Sequence, residues 1–184
     1  MTTWSSRAAA TALALLGLAG CEEGFGTTSN AALSQAKMAF GAVTLVPPRG
    51  FCIDRNSLKQ QFALIARCDA LGAPSAAADA PIGVITVSFS AAQAEGSLPT
   101  PEDTAAALDL SNISARRETD NAILFRAQGA APVEGLSPRH WRATTRVGGH
   151  IMGVALYGPS DGRAVSGEGR AILTELIDGT SAGS

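Results

Sequence analysis

Alternation with period two dominates this chain. In residues 81–90, Ile85, Val87 and Phe89 make one apolar face while Thr86 and Ser88 point the other way, the signature of a half-buried strand. The pattern recurs around Gly148-Gly149, with Trp141, Ala143, Thr145 and Val147 before the glycines and His150, Met152, Val154 and Leu156 after them. Two adjacent glycines admit the positive φ of a tight primed turn, so 138–147 and 150–157 are expected to form a hairpin with those residues on its core side. Residues 112–118 and 122–128 read as a second pair, turning at Thr119-Asp120-Asn121. Earlier in the chain, 42–46 is a strand stopped by Pro47 and Pro48, 51–54 resumes extended backbone, and 61–68 is an apolar run of strand length.

Helical spacing is rarer. Leu33, Ala36 and Phe40 share one face if 31–40 winds into about three turns. Thr100 is an N-cap ahead of Pro101, and Glu102 and Asp103 favour the positive end of a helix that runs to about 108–110. A final helix spans 168–178, with Leu173, Leu176 and Ile177 inward and Gly179 as its stop. Residues 69–80, rich in alanine with Gly72 and Pro74, read as surface loop. The expected fold is α+β, an antiparallel sheet of about six to seven strands packed with two main helices. Strand lead-in, proline turn, central helix, two late hairpins and terminal helix make an order that resembles PsbP-like domains. The resemblance is one of order over most of the chain, carries no residue motif, and implies a fold without a function.

The first thirty residues follow a different logic. Arg7 precedes an apolar core over 8–16, and small residues lead to Leu18-Ala19-Gly20-Cys21. That stretch resembles the lipobox of bacterial lipoproteins, in which the cysteine thiol is joined to a diacylglycerol and the chain is cut before it. The resemblance implies a signal peptide over 1–20, lipidation of Cys21 and export. The apolar run is too short to cross a bilayer, which takes roughly 20 residues. Residues 22–30, EEGFGTTSN, are small and polar, so 21–30 is expected to be a lipidated tether of ~15–18 Å root-mean-square reach, holding a single domain over 31–184 near the membrane. Enterobacterial lipoproteins kept in the inner membrane tend to carry aspartate after the cysteine; Glu22 stands there instead, which favours the outer membrane.

Composition narrows the class of partner. Removing the first 20 of 184 residues leaves one domain's worth of chain, and loss of Arg7 takes the formal charge from −2 to −3. A net acidic chain is not expected to bind nucleic acid, and one Tyr with two Trp, of which Trp4 lies in the leader, supplies few platforms for stacking bases. With Cys21 assigned to the lipid, Cys52 and Cys68 remain, and an oxidising compartment favours a bridge between them. The competing arrangement adds Asp54 and Asp69 as a mixed metal site, a spacing that matches no recurring zinc pattern.

Candidate chemistry is sparse. In the hairpin register His140 and His150 are seven positions apart along the ladder, roughly 23 Å, so they cannot share a metal. His150, on the core side at the turn, is expected at the core's edge. The opposite side carries His140, Arg142, Thr144 and Arg146, with Arg139 nearby and Tyr157 across the ladder. This basic stripe is either a solvated sheet face or a surface for lipid phosphates, an acidic glycan or an acidic partner; Arg139, His140, Arg142, Arg146 and Tyr157 are the candidate partner-binding residues. The faces of Arg116, Arg117 and Arg126 are left open. Gly158-Pro159-Ser160-Asp161-Gly162 matches G-x-S-x-G by letter, but no helix follows at once and both histidines come earlier. Ser34-Gln35-Ala36-Lys37 matches S-x-x-K without its companion motifs. No cofactor site is expected. The sequence therefore points to a noncatalytic, lipid-anchored interaction module facing the periplasm, with an envelope protein or anionic envelope component as partner. The alternative is a binding protein for a small or lipidic ligand, with its pocket between sheet and helix.

Overall fold

The computed structural model describes residues 32–74, 79–91 and 96–183. Cys21, the leader and the tether lie outside them. Among the described residues the strands are β1 (Ala32–Leu33), β2 (Ala36–Met38), β3 (Val43–Leu45), β4 (Phe51–Asp54), β5 (Phe62–Arg67) and β6 (Val84–Ala91). Helix α1 (Pro101–Leu108) follows, then β7 (Ser111–Glu118), β8 (Ala122–Gln128), β9 (Arg139–Val147), β10 (His150–Tyr157), α2 (Glu168–Gly179) and β11 (Ser181–Ala182). The main sheet runs β1-β4-β5-β6-β10-β9-β8-β7, with antiparallel neighbours throughout. A small sheet runs β11-β3-β2. The architecture is α+β with two helices, and its main sheet has eight strands rather than the expected six to seven.

Strand β1 of the main sheet and β2 of the small sheet come from a stretch that the sequence pattern assigned to a helix. Residues 32–38 are extended: Ala32 and Leu33 pair with β4, and Ala36 to Met38 pair with β3. Ala39, Phe40 and Gly41 then take φ of 50°, 57° and 92°, a left-handed turn that ends the strand. Pairing buries Ala36 and Met38 at period two and leaves Phe40 78 % exposed, so the apparent helical face never forms.

The expected local signals elsewhere have physical counterparts. Thr100 Oγ1 accepts the Asp103 N–H at 3.0 Å and Asp103 Oδ2 accepts the Thr100 N–H at 3.2 Å, a reciprocal capping box that starts α1. Gly148 and Gly149, at φ of 56° and 73°, turn β9 into β10 with Val147 opposite His150. At the start of helix α2 Gly167 has no side chain to cap it and the Ser166 hydroxyl accepts the Glu168 N–H at 3.2 Å; at its end the buried Thr180 hydroxyl donates to the Leu176 carbonyl at 2.8 Å.

One face of the main sheet meets α2 and the small sheet, and the core lies between them. It includes Met38, Leu45, Ile53, Ile65, Ile85, Val87, Trp141, Met152, Leu156, Leu173 and Leu176, all at or near zero exposure. Trp141 anchors α2 through an indole N–H donated to the Ser166 carbonyl at 2.6 Å. The sulfurs of Cys52 and Cys68 lie 2.00 Å apart, at bonding distance, joining β4 to the residue after β5.

The opposite face is covered on one side only. Ile123, Phe125 and Ala127 of β8 form a smaller core with Leu98, Leu110 and Ile113, which flank α1 in sequence. This second layer sits beside the outward side chains of β9.

Candidate functional site

The outward residues of β9 form a layered polar cluster rather than a solvent-facing ladder. His140 is fully buried, Tyr157 and Thr144 are nearly so, and Arg142 and Arg146 are half-buried. Of the five candidate partner-binding residues, Arg139 is the exposed one. A macromolecular partner therefore does not meet His140 or Tyr157 in this fold. The cause is the second layer: Leu110 packs over Gly129, where an added Cβ would come within 2.5 Å of it and 3.6 Å of the His140 ring.

Within the cluster the groups orient one another. The His140 ring stacks on Tyr157 with centroids 4.5 Å apart. Its Nδ1–H donates to the Pro138 carbonyl at 2.8 Å, and its Nε2 accepts the Arg142 Nε–H at 2.9 Å, a pair of bonds that requires the neutral ring protonated at Nδ1. Arg142 Nη2 donates to the Tyr157 hydroxyl at 3.2 Å. Burial, opposed by the Pro138 bond and reinforced by the Arg142 charge, pushes the His140 pKa down to about 4. Burial likewise lowers the Arg142 pKa, and the Tyr157 hydroxyl opposes that shift. Both partners of Arg142 are neutral, and no carboxylate lies at ion-pair distance from it among the described residues.

Next to Arg142 the sheet has a hollow. On β10 the outward positions Gly153 and Ala155 are small; Gly153 pairs with Ser88 of β6 and Thr144 of β9, and Ala155 pairs with Thr86 and Arg142. Thr104 and Leu108, one turn apart on α1, stand over this depression. The resulting cavity has a volume of about 110 Å³. Thr86 and Ser88 are legible in sequence as the polar face of their strand. Their meeting with Arg142 across two small residues follows once β6, β10 and β9 are set side by side in register.

A larger, open groove of about 730 Å³ lies between α2 and the edge strand β7. Arg117, Arg170, Glu175 and Asp178 line it, charges of both signs, and Glu175 accepts the Arg49 backbone N–H at 2.9 Å. Arg126 points to the inner face, its guanidinium 5.7 Å from the Trp141 ring centroid, and Arg116 is paired with Glu102. Neither extends the stripe of β9.

The remaining candidates fall apart in space. His150 Nδ1 bonds with the Gly148 carbonyl at 2.9 Å, a local contact of the hairpin turn. Ser160 is exposed in a turn closed by Gly162 N–H to Pro159 O, and a short 3₁₀ turn follows instead of an elbow helix. Ser34 is exposed, and the Lys37 ammonium donates to Thr44 Oγ1. Asp69 pairs with Arg67 rather than with sulfur, and no group of three potential metal ligands occurs among the described residues. No described helix is long and apolar enough to cross a membrane.

No family model and no curated protein sequence matches the chain. Among solved structures it is similar to that of a point mutant of Protein Mog1, with a TM-score of 0.51 and 11 % identity over 82 % of this chain and 95 % of that one. At that identity the likeness is one of fold.

Proposed function

We propose that the chain is a noncatalytic interaction module of the bacterial envelope, anchored by lipid at Cys21, facing the periplasm and favouring the outer membrane. The observation that carries the docking role is the groove beside α2. Its charges of both signs, set on the rigid face of a helix and the exposed edge of a sheet, suit a protein surface with the complementary pattern. The address is supported by the lipobox-like Leu18-Ala19-Gly20-Cys21 and by a disulfide of the kind that persists in oxidising compartments.

Two measurements test this reading. Mass spectrometry of the membrane-extracted chain should find a lipid-modified N-terminus at Cys21; an intact Met1 removes the anchor. A photo-crosslinker placed at Arg170 in the native envelope should give one discrete adduct, which is lost when Arg117 is replaced by glutamate. An absence of adducts, or adducts indifferent to that charge reversal, removes the docking role.

A further inference from the structure

We propose that the hollow beneath α1 binds a small tetrahedral oxyanion of the phosphate class, held by the Arg142 guanidinium and ringed by the hydroxyls of Thr86, Thr104 and Thr144. This goes beyond docking and requires neither the groove beside α2 nor the lipid anchor.

Shape sets the size of the ligand. Gly153 and Ala155 withdraw side-chain volume between β6 and β9, and α1 closes the space from above with Thr104 and Leu108. The cavity of about 110 Å³ exceeds the roughly 10–15 Å³ that a single water needs on the same measure, so it has room for a small polyatomic ion. That suits a compact oxyanion and falls well below the roughly 300 Å³ at which drug-sized pockets begin.

Charge and hydrogen bonding set its sign. The lining includes one guanidinium, the hydroxyls of Thr86, Thr104 and Thr144, and no carboxylate; the Ser88 hydroxyl at its rim already donates to the Gly153 carbonyl at 3.3 Å. A half-buried cation is ordinarily matched by an anion. Arg142 instead has His140 and Tyr157, which fill its Nε–H and one Nη2–H with neutral acceptors and leave the positive charge uncompensated. Its remaining N–H groups have no partner among the described residues. A fork of guanidinium donors matches the edge of a phosphate or sulfate, and charge-assisted bonds of this kind are about twice as strong as neutral ones.

The site is also organised in advance. Pro138 fixes the His140 ring, the ring and Tyr157 stack, and both hold the guanidinium plane. An oxyanion entering this cavity would find its principal donor already oriented, which lowers the ordering cost of binding.

The test is calorimetric titration of the full chain in detergent near neutral pH. Inorganic phosphate, sulfate and a phosphate monoester are compared at constant ionic strength, with chloride as the background ion. Saturable one-site binding of phosphate with Kd below about 1 mM is expected. Arg142→Gln should weaken it by at least about tenfold, and Thr104→Val, on the helix rather than in the sheet, by about three- to tenfold. Arg170→Gln should leave the affinity unchanged. Monoester binding as tight as that of phosphate marks the site as a head-group receptor, and weaker monoester binding marks it as a site for the free anion; either supports the proposal. Thr104→Val keeps it falsifiable if Arg142→Gln fails to fold. Absence of saturable binding to wild type, or binding that survives Thr104→Val unchanged, overturns it.

Discussion

His140 stacks on Tyr157 with ring centroids 4.5 Å apart and an interplanar angle of 28°. The contact places an imidazole in a buried layer where its two nitrogens are already committed, one donating to Pro138 and one accepting from Arg142. A proton added to Nε2 would displace the Arg142 bond and set a second positive charge against the guanidinium.

Stability should therefore fall on mild acidification. The folded-state pKa of about 4 lies below the ordinary value of 6.5, so the unfolded chain binds more protons between them. The stabilisation is fully present above pH 6.5 and is lost as pH falls towards 4, by at most about 3 kcal/mol. Urea midpoints measured across that window should decline for wild type and decline less for His140→Asn. Equal slopes for the two chains would show that this histidine does not drive the effect.

The disulfide gives a second expectation. Cys52 and Cys68 close a loop with a sequence separation of 16, which on the chain-entropy model stabilises the fold by ~3 kcal/mol. Adding reductant should lower the denaturation midpoint accordingly, while a Cys52→Ala, Cys68→Ala chain should start at the lower midpoint and ignore reductant. A wild-type midpoint that does not move would mean that the bridge does not constrain the unfolded chain.

How much of this was legible in sequence depends on whether the determinant is local. The β9–β10 hairpin could be read because Gly148-Gly149 fixes the turn and period two then fixes the register, which put Trp141, Met152 and Leu156 inward. The start of α1 could be read because Thr100, Pro101 and Asp103 act within one turn. Residues 32–40 could not, because their pairing with β4 and β3 is nonlocal and the left-handed turn at Ala39 and Phe40 carries no glycine at those two positions. The site lies between these cases. Alternation placed His140, Arg142 and Tyr157 on one side of the hairpin, but their burial depends on Leu98, Leu110 and Ile113 folding over the neighbouring strand. The hollow depends on β6 lying beside β10, an adjacency that no local pattern encodes.

Helix α1 supplies a third test, since its cap is reciprocal. Thr100→Ala removes both the acceptor for the Asp103 N–H and the hydroxyl that donates to Asp103 Oδ2 at 2.7 Å. A cost of about 1 kcal/mol is expected, with Thr100→Ser restoring most of it. Hydrogen exchange should quicken first at the Thr104 and Leu110 amides, which bond to Thr100 and Ala105 carbonyls, and later in the sheet. Uniform quickening across β9 and β10 would instead make α1 part of the global folding unit.

The packing of α2 offers the sharpest reversal of an ordinary rule. Replacing a helical glycine by alanine usually stabilises a helix by about 1 kcal/mol. At Gly169 a Cβ would lie 2.0 Å from the Ala164 carbonyl oxygen and 2.4 and 2.8 Å from Trp141 Cδ1 and Nε1. The indole cannot retreat without breaking its 2.6 Å bond to the Ser166 carbonyl, so the strain reaches the contact that docks the helix on the sheet. Gly169→Ala is expected to destabilise the domain by about 1–3 kcal/mol and to red-shift the Trp141 emission as the ring loses its buried seat. Gly179→Ala is the matched control: its Cβ would approach no atom closer than 3.6 Å, and the change should be neutral or mildly stabilising. If Gly169→Ala behaves like Gly179→Ala, with emission and midpoint unmoved, α2 does not rest on Trp141 as the contact geometry requires.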